Sequence, residues 1–367
     1  MGQRAIGITV YSCAMILLMV VVTLADLGYR YRQFLIAVVG AGVVMAMALL
    51  LAGLAGGFEQ ETAQTVGAFG ADRWVLADSS GGRIAAVGVF PQSEVTAIAR
   101  APGVAEADPV IILPEQVARS GNRTVTVNVM GVGVHGMGDP KVTLGSPLSG
   151  PRQVVVDTRS GAVVGSGIEV GATHFRVVGQ VEDRTLLGGG PVVYMPLHDA
   201  QLLALGGRPL VTAAVTNGVP TTVPTGLQVL TNKDVEQRTL NALGPAISSI
   251  DNSKVLMWVV AGIIIASLLY VSALQRVRDF AVLKALGSSS MALFGSLALQ
   301  AVLVATAAAA FAAIVCNFMD GLFAQPVDIP TSAFFTLPVV AVVVGLVSSL
   351  VALRRATGAD PAAAFGD

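Results

Sequence analysis

The sequence predicts an α-helical membrane protein with four core transmembrane helices and an extracytoplasmic α+β domain between the first and the second of them. The first supporting observation is the composition, because only 12% of the 367 residues are charged and 54% are hydrophobic, whereas about a quarter of a typical soluble chain is charged. The second is a set of four long apolar segments. The third is a long polar stretch that separates the first apolar segment from the other three.

A helix that crosses a bilayer needs about 20 mostly apolar residues. Four segments meet this requirement, at residues 34–55, 255–274, 291–318 and 334–353. None of them contains Asp, Glu, Lys or Arg, which argues against a proton-coupled pump, because intramembrane charges usually mark ion pathways. Residues 56–254 hold most of the charged residues and all three histidines, and we expect them to fold outside the bilayer.

The basic residues of the short connecting segments predict the orientation, because Lys and Arg are retained on the cytoplasmic side of a membrane. These residues are Arg30, Arg32, Arg276, Arg278, Lys284, Arg354 and Arg355. The loop at residues 319–333 has Asp320 and Asp328 but no Lys or Arg. The preference for Arg over Lys, with many Ala, Val and Gly residues, is typical of a GC-rich bacterial genome. We therefore expect a multi-pass protein of a bacterial cytoplasmic membrane, with its 354–367 tail in the cytoplasm and its large domain outside.

Residues 1–33 contain one further apolar segment, at residues 5–25, which is long enough to span a membrane. Three interpretations stay open. The segment is an extra span with an outside N-terminus, an interfacial helix that leads into the first core helix, or the product of a start site upstream of the true one, with Met15 or Met19 as the alternative start. A cleaved signal peptide is disfavoured, because small-x-small cleavage chemistry is weak around residues 23–25.

Within residues 56–254, short β-rich segments alternate with turn residues and helical patches. The predicted strands are residues 73–77, 124–132, 153–157, 174–181 and 191–195, and the predicted helices are residues 93–100 and 197–205. Each of the two helices begins after a proline, which the first turn tolerates. Residues 236–253 have helical spacing and are expected to lead the chain back to the membrane. This mixture predicts a small α+β domain.

Three glycines, Gly131, Gly133 and Gly136, match the GxGxxG spacing of dinucleotide-binding loops. A dinucleotide site needs a helix that begins at this loop and supports the pyrophosphate. The four residues that follow, Met-Gly-Asp-Pro, cannot start a long helix. We therefore interpret the motif as a glycine-rich turn.

No other grouping has the composition of a catalytic, cofactor or metal site. The pairs His135 with Asp139 and Glu182 with Asp183 are interpreted as solvated loop charges, because the three histidines are far apart in the sequence and lack metal-ligand spacing. Both cysteines lie in apolar segments outside any CxxC pair, which excludes a disulfide framework. The net charge of −1 provides no basic footprint for nucleic acid.

Residues 275–290 form the most informative segment. Their charged face carries Arg276, Arg278, Asp279 and Lys284, and their apolar face carries Phe280, Leu283 and Leu286. This spacing predicts that the second core helix continues into the cytoplasm as an amphipathic helix, and Gly287 sits where a left-handed C-cap residue is favoured. Anchoring by positive charge explains only the charged face. The apolar face predicts a soluble partner that docks on it.

The stretch Arg276-Val-Arg-Asp-Phe-Ala-Val-Leu-Lys-Ala-Leu-Gly287 resembles the cytoplasmic signature of FtsX/MacB-type permeases. In that signature a basic pair and an acid precede an apolar-apolar-Leu-Lys-Ala-apolar-Gly run. Residues 167–181 followed by 191–205 are similar to the outer-domain pattern of the family, and residues 354–361 resemble its C-terminal tail. The resemblance covers about residues 27–361, and the cytoplasmic signature is its most specific part.

This resemblance implies the permease subunit of an ABC transporter, which works with a dimer of separate ABC ATPase subunits. ATP and Mg would be held by those subunits and no cofactor by this chain, which has no GxxxxGK[ST] phosphate loop and is not expected to be an enzyme. The residues that would couple to the ATPase are Arg276, Arg278, Asp279, Phe280, Leu283, Lys284, Leu286 and Gly287. ATP-driven closure of the ATPases would then be transmitted along the second core helix to the outer domain.

A second permease copy is also expected, as a homodimer in preference to a heterodimer. Helices in lipid associate through small residues that permit close approach. Such residues occur four apart in the pairs Gly42/Ala46, Gly53/Gly57 and Gly262/Ala266. The abundance of Gly and Ala in proteins from GC-rich genomes is the competing explanation. Membrane lipid and an extracytoplasmic protein are the other expected partners.

The expected function is export or extraction of an amphipathic, lipid-like or peptide substrate through movement of the outer domain. One alternative is a non-transporting, FtsX-like regulator whose outer domain activates a cell-wall hydrolase. A weaker alternative is a permease for amino-acid import. The charge-free core helices favour the first two functions over the third.

Overall fold

The computed structural model describes residues 29, 31–84, 86, 88–275, 282 and 290–319, and further along the chain residues 336, 339, 340, 342–344, 346 and 347. The chain divides into two compact units. The helical unit comprises Met1–Gly53, Ser249–Leu322 and Ile329–Asp367, and the sheet domain comprises Leu54–Ser248 with Phe323–Asp328.

The described residues contain three long helices, three short helices and a set of strands. The helices are α1 (Tyr31–Ala68), α2 (Gln92–Ala99), α3 (Leu197–Leu205), α4 (Asn232–Ala242), α5 (Gly244–Leu274) and α6 (Ser290–Met319). The strands are β1 (Arg73–Ala77), β2 (Phe90–Pro91), β3 (Val104–Ser120), β4 (Arg123–Val132), β5 (Leu144–Gly145), β6 (Gln153–Asp157), β7 (Gly167–Val170), β8 (Thr173–Val181), β9 (Thr185–Leu186), β10 (Gly190–Pro196), β11 (Leu210–Val211), β12 (Ala213–Gly218) and β13 (Leu227–Thr231).

Three of the described helices, α1, α5 and α6, are long and apolar enough to cross a membrane. Their most apolar windows have mean hydropathies of 2.8, 2.4 and 2.2, respectively. The predicted segments 34–55, 255–274 and 291–318 fall on these helices. The predicted segment 334–353 lies largely outside the described residues, and the residues of it that are described are helical. The apolar segment 5–25 lies outside the described residues altogether.

Eleven strands of the described chain join in one sheet, with the path β13-β1-β12-β3-β4-β10-β6-β8-β5. Strand β7 pairs with β3 and β8, and β9 pairs with β10. The pairs β4–β10 and β6–β8 are parallel and the others are antiparallel. Strands β2 and β11 form a separate two-stranded sheet. Because β4 and β10 lie in the middle of the path, they are the strands through which a local displacement would reach most of the sheet.

Each face of the sheet has its own hydrophobic core, because successive side chains of a strand point to opposite faces. In β1, Val75 belongs to one core and Trp74 to the other. Helices α2 and α3 cover the first core through buried residues such as Ile98 and Ala200. The end of α1, with Val66 and Phe69, covers the second core, together with Val235 of α4. The sheet domain therefore buries the last turns of α1 as part of its own core.

The predicted helix at residues 236–253 is wrong in its bounds. Helix α4 begins at Asn232, because Thr231 and Asp234 form a capping box. The hydroxyl of Thr231 accepts from the N–H of Asp234 at 3.1 Å. The carboxylate of Asp234 accepts from the N–H of Thr231, also at 3.1 Å. Helix α4 ends at Ala242, and α5 begins at Gly244. The following Pro245 has no N–H to donate and is tolerated only in a first turn, which is why one helix cannot run through this point.

Two of the three glycines of the motif, Gly133 and Gly136, lie in a turn, as the sequence predicts, whereas Gly131 lies in strand β4. Strand β4 continues to Val132, and the N–H of Gly136 then donates to the carbonyl of Gly133 at 3.2 Å. A Cβ added at Gly131 would lie 2.4 Å from the Cβ of Ala200. Gly131 therefore lets helix α3 pack directly on strand β4, and this packing explains the glycine without a bound phosphate.

We predict that Gly131→Ala destabilises the sheet domain by about 1–3 kcal/mol, because the added methyl group overpacks a core that cannot expand freely. Gly133→Ala is the matched control, since its added Cβ meets no atom within 4 Å and its φ is not in the left-handed region. The thermal unfolding of both variants would be followed by circular dichroism in detergent. Equal unfolding temperatures for the two variants would contradict the packing explanation.

Candidate functional site

The coupling residues predicted from the sequence lie outside the described residues. This holds for Arg276, Arg278, Asp279, Phe280, Leu283, Lys284, Leu286 and Gly287. Their role stays a prediction. The functional geometry that the structure does describe lies at the end of α1 in the sheet domain and in the packing of α1 in the helical unit.

The last turns of α1 bury one face and expose the other. The buried side chains are Glu61, Thr62, Thr65 and Val66, followed by Phe69 just beyond the end of the helix, and the exposed residues include Glu59, Gln60, Ala63 and Gln64. Buried positions that recur three or four residues apart form one stripe of a helix. The hydroxyl of Thr62 donates to the carbonyl of Phe58 within the helix, so the polar contact of the stripe with the sheet strands is made by the carboxylate of Glu61.

The carboxylate of Glu61 is the best-buried charged group of this stripe, with only 4% of the residue exposed. The hydroxyl of Thr185 donates to its Oε1 at 2.7 Å, and the N–H of Gly188 donates to its Oε2 at 2.9 Å. The nearby N–H of Gly189 also favours the charged form of this carboxylate. We call these three groups, Thr185 Oγ1, Gly188 N and Gly189 N, the carboxylate cradle.

The cradle is built on the hairpin between β9 and β10, which takes an unusual backbone path. Leu187, Gly188 and Gly189 have φ values of 55°, 84° and 86°, in the left-handed region that glycine adopts without strain and leucine does not. A Cβ added at Gly190 would lie 2.5 Å from the side-chain nitrogen of Asn128. The glycines therefore allow the chain to turn its N–H groups towards Glu61.

Asn128 of β4 holds the other side of the same hairpin. Its side-chain nitrogen donates to the carbonyl of Leu186 at 2.7 Å and to that of Gly190 at 3.1 Å, and its oxygen accepts from the N–H of Glu115 at 3.3 Å. The residue is only 3% exposed. Glu61 thus accepts hydrogen bonds from the hairpin, and Asn128 donates hydrogen bonds to it. Helix α1 and the central strand β4 therefore both bind the hairpin.

A second buried carboxylate, Asp157, orders the chain beside the cradle. It accepts from the backbone N–H of Arg159 at 2.9 Å and from that of Arg184 at 2.7 Å. The guanidinium of Arg159 pairs with the exposed Asp183 at 3.0 Å. The interpretation of Asp183 as a solvated loop charge is confirmed, because 78% of its side chain is exposed.

Burial raises the pKa of Glu61 above its usual range, because the charged form loses its hydration. The hydrogen bonds from Thr185, Gly188 and Gly189 and the positive charge of Arg159 oppose this shift without cancelling it. Burial likewise raises the pKa of Asp157, against the two backbone donors that it accepts from. Burial therefore disfavours the charged form of both carboxylates, and the donors around them favour it.

In the helical unit, two of the small residues singled out in the sequence lie at the contact between α1 and α6. A Cβ added at Gly42 would lie 2.6 Å from the ring of Phe311 and 3.0 Å from the carbonyl oxygen of Ala308. The thiol of Cys316 donates to the carbonyl of Ala46 at 3.4 Å. The facing stripe of α6 consists of the fully buried Ala301, Ala305, Ala308 and Ala312. Gly42 and Ala46 thus serve close packing inside one chain.

The other small residues are placed differently. Gly53 and Gly57 are buried along α1. Gly262 and Ala266 line an apolar groove of about 650 Å³ on α5. The other lining residues are Val255, Trp258, Val259, Ile263, Ser267 and Tyr270 on α5, with Val343, Val344 and Val347. A contact of any of these residues with a second copy of the chain stays a prediction.

The sequence did not single out Glu61 or Asn128. For Glu61 a signal exists, because Phe58, Glu61, Thr65 and Phe69 recur at helical spacing beyond the end of the predicted span. For Asn128 the sequence contains no such signal, because a single amide side chain inside a strand has no local pattern from which its hydrogen-bond partners could be predicted. Among the described residues, no group of three or more His, Cys, Asp or Glu side chains has the arrangement of a metal site.

Comparison with known proteins relates both parts of the chain to transport proteins. Residues 34–229 match the MacB-like periplasmic core domain, and residues 254–361 match the FtsX-like permease C-terminal region. An uncharacterized ABC transporter permease of Mycobacterium bovis is 37% identical over 348 residues, which cover 95% of this chain and 99% of the relative. An uncharacterized ABC transporter permease of Mycobacterium tuberculosis is 35% identical with the same coverage.

Two solved structures are also similar. One is the periplasmic region of MacB from Actinobacillus actinomycetemcomitans, with a TM-score of 0.36 and 16% identity, which covers 48% of this chain and 95% of that chain. The other is the extracellular domain of the noncanonic ABC-type transporter YknZ from Gram-positive bacteria, with a TM-score of 0.33 and 12% identity, which covers 43% of this chain and 98% of that chain.

We predict that Gly42→Ala destabilises the helical unit by about 1–3 kcal/mol, because the new methyl group collides with α6. Gly40→Ala is the matched control on the same helix, since its Cβ would meet Ile264 at an ordinary 3.8 Å. The thermal unfolding of each variant in the same detergent would measure the effect. A Gly42→Ala variant as stable as Gly40→Ala would show that α1 and α6 do not pack closely at this point.

We predict a pH-dependent stability difference between the wild type and Glu61→Gln. The folded pKa of Glu61 lies above its unfolded value of about 4.5, so the folded state binds the proton more tightly than the unfolded state. The wild type should therefore lose stability relative to Glu61→Gln as pH rises from the unfolded pKa through the folded pKa, and the difference should then level off. Denaturant unfolding at several pH values would measure it. A difference that is flat or rises with pH over this range would contradict the prediction.

Proposed function

Because this chain belongs to the family of ABC transporter permeases that combine a MacB-like periplasmic core domain with an FtsX-like C-terminal region, we propose that it transmits force from a separate ATPase to its sheet domain. Such a permease implies an ATPase subunit as partner. ATP and Mg would be bound by that subunit, and this chain would hold no cofactor. The sheet domain would be the moving part on the far side of the membrane.

The observation that supports this proposal best is the single helix α1. It runs without a break from Tyr31 to Ala68, a length of about 57 Å at 1.5 Å per residue. Its apolar part is long enough to span a bilayer, and its last turns are held in the core of the sheet domain by Glu61 and Phe69. A continuous helix resists bending, so a displacement of one end is carried to the other.

A second helix supports the same function. Helix α5 follows α4 after the single residue Leu243, and α4 is fixed to β13 by the capping box of Thr231 and Asp234. The sheet domain therefore receives one membrane helix at each end of its sequence. Residues 275–290, which follow α5, would dock on the ATPase through the apolar face that includes Phe280 and Leu283.

The proposed topology has four core helices, with residues 334–353 as the fourth. The positive charges of residues 275–290 and of the 354–367 tail would lie in the cytoplasm of a bacterial cell, and the sheet domain would be extracytoplasmic. A second copy of the chain would complete the transporter as a homodimer. The groove that contains Gly262 and Ala266 is the proposed site of that contact, because small residues let apolar helices approach closely.

The proposed substrate is amphipathic, lipid-like or a peptide. The four predicted spans, residues 34–55, 255–274, 291–318 and 334–353, contain no Asp, Glu, Lys or Arg, which does not favour a polar path through the bilayer. Movement of an extracytoplasmic domain suits a substrate that is extracted from the outer face of the membrane or expelled beyond it.

We predict that Leu283→Glu abolishes association with the ATPase, because a buried carboxylate at an apolar docking face would have to lose its hydration. Leu202→Glu makes the same chemical change at an exposed residue of the sheet domain and should leave association intact. The tagged chain would be purified gently from its native membrane, and co-purifying ATPase and ATP hydrolysis would be measured for the three proteins.

If no ATPase co-purifies with the wild type under conditions that preserve other membrane complexes, the proposal is overturned. A stoichiometric complex of the wild type with both an ATPase and a cell-wall hydrolase would retain the coupling but replace transport by hydrolase regulation.

A further inference from the structure

We propose that the cradle of Thr185, Gly188 and Gly189 is a carboxylate receptor, and that Glu61 of α1 is its resident ligand and the positioning residue that ties the displacement of α1 to the centre of the sheet. The receptor is a property of the sheet domain alone. Only the second half of the proposal, the transmission of displacement, rests on the proposed function.

The donors of the cradle match the shape of a carboxylate. Each oxygen of Glu61 receives its own donor, from a hydroxyl at 2.7 Å and from an amide at 2.9 Å, and the nearby N–H of Gly189 favours the charged form. Successive backbone N–H groups of a turn form concave anion sites in many proteins. Recognition here is by hydrogen bonds to the carboxylate, and Arg159 adds a favourable charge from further away.

The conformation of the hairpin depends on its ligand. Leu187 holds a φ of 55°, which costs free energy for a residue with a branched side chain and persists only where the surroundings impose it. Withdrawal of Glu61 would break the hydrogen bond that the partly buried N–H of Gly188 donates to it, and the loss of such a bond is costly. The hairpin is therefore expected to keep this path when a carboxylate is bound and to rearrange when it is not.

The hairpin connects Glu61 to the middle of the sheet. Asn128 binds the carbonyls of Leu186 and Gly190, and it lies in β4, between β3 and β10. The chain of contacts therefore runs from α1 through Glu61, the hairpin and Asn128 to a central strand. A shift of α1 along its axis would pull the carboxylate from the cradle before it disturbed the apolar stripe, because hydrogen bonds tolerate less displacement than apolar contacts do.

The receptor is tested by chemical rescue of Glu61→Ala, which leaves a carboxylate-sized space in front of the three donors. Amide hydrogen exchange of the full-length chain in detergent would be followed at Gly188 and Gly189, with added sodium formate and with sodium chloride at equal ionic strength. We expect exchange at these amides to be at least tenfold faster in Glu61→Ala than in the wild type. We expect formate, but not chloride, to restore protection saturably.

Two further variants keep this test decisive if Glu61→Ala folds poorly. Thr185→Val removes one donor at nearly constant volume and should raise exchange at Gly188 while α1 keeps its carboxylate. Glu59→Ala changes an exposed carboxylate on the same helix and should change nothing. The receptor proposal would be overturned if formate failed to restore protection, or if amide exchange were equal in the wild type, Glu61→Ala and Thr185→Val.

The transmission is tested in the complex with the ATPase. In the wild type, the exchange of amides around Asn128 should differ between the nucleotide-free and ATP-bound complexes, and Glu61→Ala should lose this difference while formate restores it. A difference that persists unchanged in Glu61→Ala without formate would overturn the positioning role. Absence of any ATPase from the wild-type preparation would instead overturn the proposed function, and the rescue in the isolated chain would still decide the receptor.

Discussion

The burial of the Glu61 carboxylate is the interaction on which the sheet domain's hold on α1 depends. A carboxylate that loses its hydration is unfavourable unless hydrogen bonds replace the lost water. The structure supplies two direct donors, Thr185 Oγ1 and Gly188 N, and the hairpin that carries them needs a left-handed turn and a glycine at residue 190. The contacts that hold the end of α1 thus depend on one another, because the hairpin needs the carboxylate and the carboxylate needs the hairpin.

The two halves of α1 are fixed by different physical means, each suited to its surroundings. In the helical unit, Gly42 and Ala46 bring α1 against the alanine stripe of α6, where dispersion contacts are strong because the backbones lie close. In the sheet domain, Glu61 adds directional hydrogen bonds to the packing of Phe69. One half of the helix is thus held by close backbone approach and the other by hydrogen bonds to the hairpin.

The sequence predicts those parts of the fold that follow from local patterns. Strands such as β1 and β6, with clean apolar runs between turn residues, are predicted within a residue of their observed bounds. The longest strand, β3, was not predicted, because Pro109, Pro114 and several acidic residues interrupt its pattern. Tertiary pairing with β4 and β12 overrides these breaks, and a bulge with Glu115 at a φ of 53° absorbs one of them.

The sequence by itself determined that this chain is a membrane protein, which segments are apolar enough to span, and which family signature it carries, because hydropathy and motif spacing are properties of neighbouring residues. It also predicted the turn at Gly133 and Gly136, whereas the position of Gly131 in strand β4 came from the structure. Only the tertiary structure decided that α1 continues to Ala68 as part of the sheet domain, that Gly42 packs against Phe311, and that Glu61 meets Thr185 and Gly188. These contacts join residues that are more than a hundred positions apart, and their free energy arises from shape and desolvation, which exist only once the chain has folded.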